Sequence, residues 1–316
     1  MWGAPAWRGR RSVQHPHPSW RCAPIHLLPQ EEKEKERYQI DKTGQPVCFI
    51  NRMITLFLES TMNIVRSASR LASPVVELRQ YTLKPGQRET LIALFDREFI
   101  ESQEACGMTI IGQFRDLDRP DMFVWMRGFE DMGARKGALG AFYGGPVWTE
   151  HRDAANATMI DSDDVLLLKP AWRDAGFDLS GLQRSAIAEA GKANPESRLD
   201  SIIEISIHHL RPGMEAAFAE CFRTEAIPQL AANGARLIGA FVSEHAENTF
   251  PRLPVRAGEN VFIAVTGFDS KEALDRCQAA LAASPGSRAF REAAQVGATK
   301  PVETLRLTPT ARSLLR

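Results

Sequence analysis

The sequence predicts an α+β protein in which two similar βαββαβ units follow each other in one chain. Three observations predict this fold: an internal repeat, a strand-like alternation that opens each copy, and a helix-like spacing that follows it. The chain has 316 residues, enough for about two domains. Its hydrophobic content of 44% is typical of a chain that buries a core.

The repeat is visible in segments that keep register over most of the chain. The paired segments are Glu77–Gly86 with Glu204–Gly213, Ile110–Phe114 with Leu237–Phe241, and Phe123–Glu130 with Phe262–Asp269. The first two pairs lie 127 residues apart (204 − 77) and the third lies 139 apart (262 − 123). One insertion of twelve residues (139 − 127) in the second copy therefore reconciles the halves. It falls at Glu247–Gly258, which is interpreted as a lid, a dimer contact or an ordinary loop.

Each copy is predicted to run strand, helix, strand, strand, helix, strand. Proline and glycine at Pro85–Gly86 and Pro212–Gly213 turn the first strand into a helix. The second helical segment contains Gly144–Pro146 in one copy and Ser284–Gly286 in the other, so it is expected to bend or restart there. This order is that of the ferredoxin-like split βαβ unit, whose helices cover one face of the sheet.

The uncovered sheet face of each copy needs a partner, and we expect the other copy to supply it. Two sheets packed face to face would form a pseudo-dimeric α/β barrel around a central space. The predicted boundaries are an extension over 1–73, a first domain over 74–172, a linker over 173–200, a second domain over 201–310 and a tail over 311–316. Free sheet edges would also permit a homo-oligomer.

The first 73 residues differ from the rest in composition. Met1–Gln30 holds four Arg, five Pro and three Trp but no acidic residue, and it shows no apolar periodicity. This composition is typical of a disordered tail, or of sequence translated ahead of a start at Met53 or Met62. It also resembles an organellar transit peptide. We expect a disordered or non-native extension on a cytoplasmic protein; a transit peptide would instead place the protein in the mitochondrial matrix.

Composition and spacing exclude several classes of function. Lys plus Arg (39) equals Asp plus Glu (39), which argues against a nucleic-acid partner. No apolar run is long enough for a transmembrane segment. The five cysteines and seven histidines show no metal-binding spacing, and no glycine-rich phosphate loop is present. The sequence thus predicts no metal and no cofactor, although haem bound through one histidine would leave no spacing signature.

Alternation along the strands predicts which side chains share a face. Ile203, Ile205 and Ile207 are expected to pack under helices, which turns their neighbours toward the central space. The predicted lining of that space is Glu77, Arg79, Tyr81, Trp125, Arg127, Glu204 and His208. Because buried charges must be paired or bind a ligand, this set predicts either a cavity for a small organic molecule or a structural ion-pair network.

Two residues are candidates for catalysis. Tyr81 and His208 occupy equivalent positions and are expected to face each other across the barrel; Tyr81 with Arg79 could deprotonate an enol-like substrate. His151 could act as a base, with Arg152 and Asn156 orienting an anionic group. The structural alternatives are a packed tyrosine with a satisfied hydroxyl and a histidine bonded to backbone at a domain seam.

Three segments resemble the NIPSNAP family within the dimeric α/β-barrel superfamily: Val76–Gly86, Phe123–Phe129 and Ala141–Ser162. The resemblance is specific over Val75–Pro170 and looser over Ser201–Pro309. It implies a pseudo-dimeric barrel. It associates eukaryotic members with mitochondria and vesicle-related interactions, and the wider superfamily with small monooxygenases and haem-handling proteins. The family offers no catalytic motif to carry over.

Three functions therefore compete at this point: a small-molecule-binding protein with cofactor-free, oxygenase-like chemistry, a non-catalytic scaffold, and a haem or metal carrier. An open centre lined by Tyr81, Trp125, His208 and the two arginines would favour the first. A filled centre with closed Glu–Arg pairs would favour the second.

Overall fold

The computed structural model describes residues 71–187 and 201–316, in which eight antiparallel strands close into a barrel. The predicted extension up to residue 70 and linker residues 188–200 lie outside the described residues. The strands are β1 (Leu71–Ala72), β2 (Val75–Leu83), β3 (Thr109–Asp116), β4 (Met122–Phe129), β5 (Met159–Pro170), β6 (Phe177–Asp178), β7 (Ile202–His209), β8 (Arg236–Ser243), β9 (Val261–Phe268) and β10 (Glu303–Pro309). The strands β1 and β6 form a separate two-stranded sheet.

Helices cover the outside of the barrel in the predicted order. They are α1 (Arg88–Leu94), α2 (Ile100–Ala105), α3 (Met132–Tyr143), α4 (Pro146–Thr158), α5 (Glu215–Cys221), α6 (Ile227–Ala232), α7 (Lys271–Ala283) and α8 (Pro285–Gly297). As expected, the second helical segment of each copy restarts, because Pro146 and Pro285 take the first-turn position that suits a residue without an N–H. Asp131 and Ser270 cap α3 and α7 by accepting a hydrogen bond from a backbone N–H three residues on.

The barrel order is β10–β3–β4–β2–β5–β8–β9–β7, so each copy contributes four neighbouring strands. The copies join edge to edge at β5–β8 and β10–β3. The joints are equivalent: Ala171 N–H donates to the Ala240 carbonyl (3.0 Å), and Thr310 N–H donates to the Gln113 carbonyl (2.8 Å). Closure pairs both edges of each four-stranded sheet, so edge-to-edge oligomerisation through these sheets loses its basis.

The interior of the barrel is filled with apolar side chains rather than left open. Its members are Val76, Leu78, Ile111, Phe114, Val124, Met126, Leu166, Leu168, Phe177, Ile203, Ile205, Ile207, Phe241, Val261, Ile263, Val265, Leu305, Leu307 and Leu315. The three isoleucines of β7 therefore point into the barrel, and the prediction that they pack under helices is wrong. A small closed barrel has just enough interior for side chains, and apolar ones fill it without unpaired polar groups.

Shared irregularities show that the copies repeat one backbone. A π-helical turn follows α1 at Phe95–Phe99 and α5 at Phe222–Ala226, again 127 residues apart (222 − 95). The register of β3 and β8 shifts at Gly112 and at Gly239. A β-carbon on Gly112 would come within 2.4 Å of the Phe114 ring, so glycine is required where that ring lies against the strand.

The predicted linker and tail take part in packing. Phe177, from the segment after β5, and Leu315, near the C-terminus, are both buried in the barrel interior. Arg312 is buried and donates to the Glu101 carboxylate and to the Asp96 carbonyl. Residues 71–187 and 201–316 contain no helix that is long and apolar enough to cross a membrane, and their longest helices have 13 residues.

Candidate functional site

A buried cluster of charges lies on the outer face of the first copy's sheet, under its helices. Glu77 is at its centre and accepts three hydrogen bonds: from Arg79 Nη1 (2.8 Å), from Arg127 Nε (2.7 Å) and from Arg135 Nε (2.7 Å). Glu77 and Arg79 lie on β2, Arg127 on β4 and Arg135 on α3. All four side chains are buried.

The cluster holds one carboxylate for three guanidinium groups. Burial alone would raise the pKa of Glu77, but the charges of Arg127, Arg79 and Arg135 outweigh it and hold the pKa far below its usual range. Two nitrogens, Arg127 Nη2 and Arg135 Nη2, find no acceptor among the described residues. The cluster is therefore rich in both positive charge and hydrogen-bond donors.

Tyr81 extends this cluster along β2. Its hydroxyl accepts a hydrogen bond from Arg79 Nε (3.1 Å), so its own proton remains available to another acceptor. Burial raises the pKa of Tyr81, partly offset by the charge of Arg79, and the phenol is neutral at physiological pH. The ring packs edge-on against Trp125, with centroids 5.8 Å apart.

A pocket lies between this face of the sheet and the helices, with a volume of about 30 Å³. Its lining is Tyr81, Leu91, Phe95, Phe99, Gln103, Trp125, Phe142, Tyr143, Trp148, Ala155 and Met159. Most of these residues are apolar, and the polar side-chain atoms belong to Tyr81, Gln103, Tyr143 and the indole N–H groups of Trp125 and Trp148. Arg127 Nη1 donates to Gln103 Oε1 (3.0 Å) and approaches the Tyr143 hydroxyl (3.5 Å). The pocket is thus aromatic, with its polar groups connected to the arginines.

The inserted loop of the second copy reaches this site. Asn248 Oδ1 and Thr249 Oγ1 accept from Arg135 Nη1 at 3.0 Å and 3.4 Å. The Phe250 ring stacks on Tyr143, with centroids 6.1 Å apart and an interplanar angle of 28°. The loop therefore contacts the first copy of the same chain, a role that the sequence did not predict.

The equivalent region of the second copy carries no such cluster. Small or apolar residues stand at most of the equivalent positions. Ser206 replaces Arg79, Ala264 replaces Trp125, Thr266 replaces Arg127, Leu274 replaces Arg135 and Leu230 replaces Gln103. His208, the counterpart of Tyr81, packs against the rings of Phe218, Phe222 and Phe262. Burial in this apolar setting lowers the pKa of His208 to about 4, and the neighbouring His209 contributes.

The structure brings together five of the predicted site residues but places them on the opposite face. Glu77, Arg79, Tyr81, Trp125 and Arg127 point toward the helices, not toward the centre of the barrel. The prediction of an inter-sheet cavity is therefore wrong. Alternation defines two faces, and in this barrel both faces of β2 are buried, so alternation alone could not tell them apart.

Glu204 and His208 are not part of the cluster. Both lie under the helices of the second copy, where Glu204 accepts from Gln278 Nε2 (2.6 Å) and His208 contacts phenylalanines. The prediction that Tyr81 and His208 face each other across the barrel is also wrong, because each side chain points outward from its own strand.

The three predicted residues of α4 separate from one another. His151 lies between Trp148 and Ala155 along α4 but is not among the residues that line the pocket. Its side chain is 22% exposed, and its Nε2 is 3.5 Å from Glu98 Oε2. Its ring centroid is 6.4 Å from that of Phe99. Arg152 and Asn156 are exposed, so the structure does not bring them to the pocket.

Arg135, Gln103 and Tyr143 were missed in the sequence. Each lies on a helix, so strand alternation gave no information about it. A signal was present in the repeat, because the equivalent residues of the second copy are Leu274, Leu230 and Ala282. A polar residue in one copy at a core-facing position that is apolar in the other indicates that the two copies differ in function.

The described residues show no cluster of metal-binding side chains, and the pocket described above is too small for a porphyrin. No three His, Cys, Asp or Glu side chains of residues 71–187 and 201–316 converge on a point where they could bind a metal ion. A pocket of about 30 Å³ has room for a few water-sized groups and does not fit a porphyrin.

The fold and site define an α+β barrel with a helix-covered, arginine-backed pocket in its first half. Residues 76–172 match the NIPSNAP family model, so this half is a NIPSNAP domain and the resemblance seen in the sequence is confirmed. No curated protein is similar enough in sequence to match the chain.

Several solved structures are similar to this chain. A candidate monooxygenase from Fusobacterium nucleatum has 8% identity and a TM-score of 0.49, covering 77% of this chain and 95% of its own. A candidate monooxygenase from Lactobacillus acidophilus has 14% identity and a TM-score of 0.46, covering 75% and 94%. A NIPSNAP family protein from Agrobacterium tumefaciens has 25% identity and a TM-score of 0.30, covering 37% and 91%.

Proposed function

We propose that the chain is a tandem of two ferredoxin-like halves, and that the first half binds a small organic ligand between its sheet and its helices. The aromatic walls would hold the apolar part of the ligand. The Tyr81 hydroxyl, which accepts from Arg79, would donate its proton to an oxygen of the ligand. The second half would complete the barrel and supply the loop that contacts Arg135.

The observation that carries this proposal is the asymmetry of the two copies. In the second copy, threonine stands at the position of Arg127. Apolar residues stand at the positions of Arg135, Gln103 and Tyr143. Folding of this unit therefore does not require a buried charge cluster. Burying ions costs several kcal/mol each unless their interactions compensate, so the cluster in the first copy indicates a use other than stability.

The chemistry that we propose to test is cofactor-free oxygenation. It needs a substrate that can lose a proton to form an enolate, and a donor that stabilises the enolate oxygen. Tyr81 with Arg79 supplies the donor. His151, whose ring adjoins that of Phe99 in the pocket wall and whose Nε2 is 3.5 Å from Glu98, is the proposed proton acceptor.

The second candidate function is a non-catalytic scaffold. It is favoured by the filled barrel interior and by the closed bonds from Glu77 to three arginines. In that case the pocket is a packing defect of about 30 Å³, and no small molecule binds there specifically.

A pocket-filling variant separates the two functions. Ala155 lines the pocket and is fully buried, whereas its counterpart Ala294 packs against the phenylalanines of the second copy. We expect benzyl alcohol and benzamide to raise the melting temperature of the wild-type chain and of Ala294→Leu, but not that of Ala155→Leu. For this to occur, the partly buried Trp148 or Phe250 must move to admit a ring.

Tyr81→Phe serves as a second variant, since it retains the ring and removes the proposed donor. It should weaken benzamide binding with little change in stability. Equal responses of Ala155→Leu and Ala294→Leu, or no response of the wild-type chain, would favour the scaffold. Oxygen uptake with an enolisable aromatic ketone, absent in Tyr81→Phe, tests the chemistry.

A further inference from the structure

We propose that the ligand of this pocket is an organic carboxylate, an inference that rests on the proposed function and adds the charge of the ligand to it. The observation behind it is the charge of the cluster. Three buried guanidinium groups surround one buried carboxylate, so the cluster carries two more positive charges than negative ones.

Among residues 71–187 and 201–316, no second carboxylate hydrogen-bonds to these three arginines. The remaining partners of Arg135 are Asn248 and Thr249, which are uncharged. The remaining partners of Arg127 are Gln103, the Met108 sulfur and the Tyr143 hydroxyl, which are uncharged as well. An anion in the adjoining pocket would gain attraction at low local dielectric, where charge–charge interactions are strongest.

Three donors at or beside the pocket are unused: one on each of two arginines, and Nε1 of Trp125, which lines the pocket. Arg127 Nη2 and Arg135 Nη2 are buried without an acceptor, and both side chains are fully buried. A buried donor without a partner is costly, which is why such groups are rare away from functional sites. Arg127 adjoins the pocket through Gln103 and Tyr143, which line it, and an anion carried on an apolar body, as in an organic carboxylate, suits the aromatic walls.

The pocket itself presents two hydroxyl donors to the same anion. Arg79 donates to the Tyr81 oxygen and Arg127 approaches the Tyr143 oxygen, so each hydroxyl is left with its own proton to donate.

Benzoate and benzamide test the inference, because they have nearly the same shape and differ in charge. By isothermal titration calorimetry on the full chain at neutral pH, we expect benzoate to bind about tenfold or more tightly than benzamide. The preference should persist in about 0.5 M NaCl, because buried charges are screened much less than surface charges.

Removal of one cluster arginine should reduce the preference while benzamide still binds. We expect Arg127→Met, or Arg135→Met if the first variant is unstable, to lower benzoate affinity about tenfold. Arg236→Met, which removes a 57% exposed arginine of the second copy, should leave both affinities unchanged. Salt-sensitive benzoate binding that survives both cluster variants would place the anion on the surface and overturn the inference.

The outcomes distinguish this inference from the proposal on which it rests. If benzamide binds as tightly as benzoate, the pocket is real and the carboxylate inference is overturned. If neither probe binds, the proposed function itself fails.

Discussion

Glu77→Gln is the substitution that most directly tests the interpretation of the buried cluster. It keeps the size of the side chain and removes the one negative charge that three arginines share. Glu77 is fully buried, and its bonds to Arg79, Arg127 and Arg135 are 2.7–2.8 Å long. Glutamine offers one oxygen where the carboxylate offered two, and it turns an amide toward a guanidinium.

The magnitude follows from the cost of leaving buried charges uncompensated. Removing one partner of a buried ion pair destabilises a protein by about 3–5 kcal/mol. Because three guanidinium groups lose their counter-ion at once, we expect a loss near the upper end, about 4–5 kcal/mol. The depressed pKa of Glu77 agrees in sign: its folded pKa lies below its unfolded value, so its contribution is present at neutral pH and is lost as the solution becomes strongly acidic.

Glu204→Gln is the matched control, because Glu204 is the equivalent residue of the second copy. Its carboxylate accepts from Gln278, and burial raises its pKa, so the folded state does not favour its charge. We expect the Gln variant to change stability by less than about 1 kcal/mol. Urea unfolding followed by circular dichroism gives both values. Similar losses in the two variants, or a loss under about 1 kcal/mol for Glu77→Gln, would refute the reasoning.

Three further predictions concern the rest of the molecule. Burial lowers the pKa of His208 from 6.5 to about 4, so the unfolded chain binds the proton first and stability is lost as the pH falls from 6.5 to 4. His208→Phe should remove up to about 3 kcal/mol of that loss, as measured by the unfolding free energy at a series of pH values. Gly112→Ala should cost about 1–3 kcal/mol because its β-carbon would meet a buried ring, whereas Gly137→Ala, on an exposed helical position with open space, should stabilise by about 0.5–1 kcal/mol in the same denaturation assay. Asn248→Ala should cost about 1–2 kcal/mol because it removes the nearer of the two acceptors of Arg135 Nη1 and leaves only Thr249 Oγ1 at 3.4 Å. The exposed Glu247→Ala on the same loop should change little.

The order of the elements could be predicted because it depends on local sequence. Register between the copies places strands, helices and the restart before Pro146 and Pro285 without any knowledge of packing. The direction of each strand face could not be obtained in the same way. Along β2 both faces are buried, so Val76 and Leu78 inside the barrel and Arg79 outside it differ in their neighbours rather than in their exposure.

The composition of the site was partly predictable for the same reason. Strand alternation and the pairing of β2 with β4 put Glu77, Arg79 and Arg127 on one face, although not on the face that the sequence predicted. Arg135 joins them only through the packing of α3, and Asn248 only through a loop from the other copy. Contacts between elements that are distant in sequence depend on tertiary structure, which a single sequence does not display.

Under the proposed function, stability and ligand binding are divided between the two halves of the fold. A buried charge cluster costs free energy, and the apolar interior of the barrel, to which both copies contribute, can offset that cost. The second copy fills its own helix-to-sheet space with phenylalanine and can therefore add stability without a site of its own. Its inserted loop then supplies Asn248 and Thr249 to Arg135, so the first copy's cluster is completed only when both halves are folded together. An isolated first half would keep Glu77 and the arginines but lack this contact, and it would also expose the apolar strand faces that the closed barrel buries.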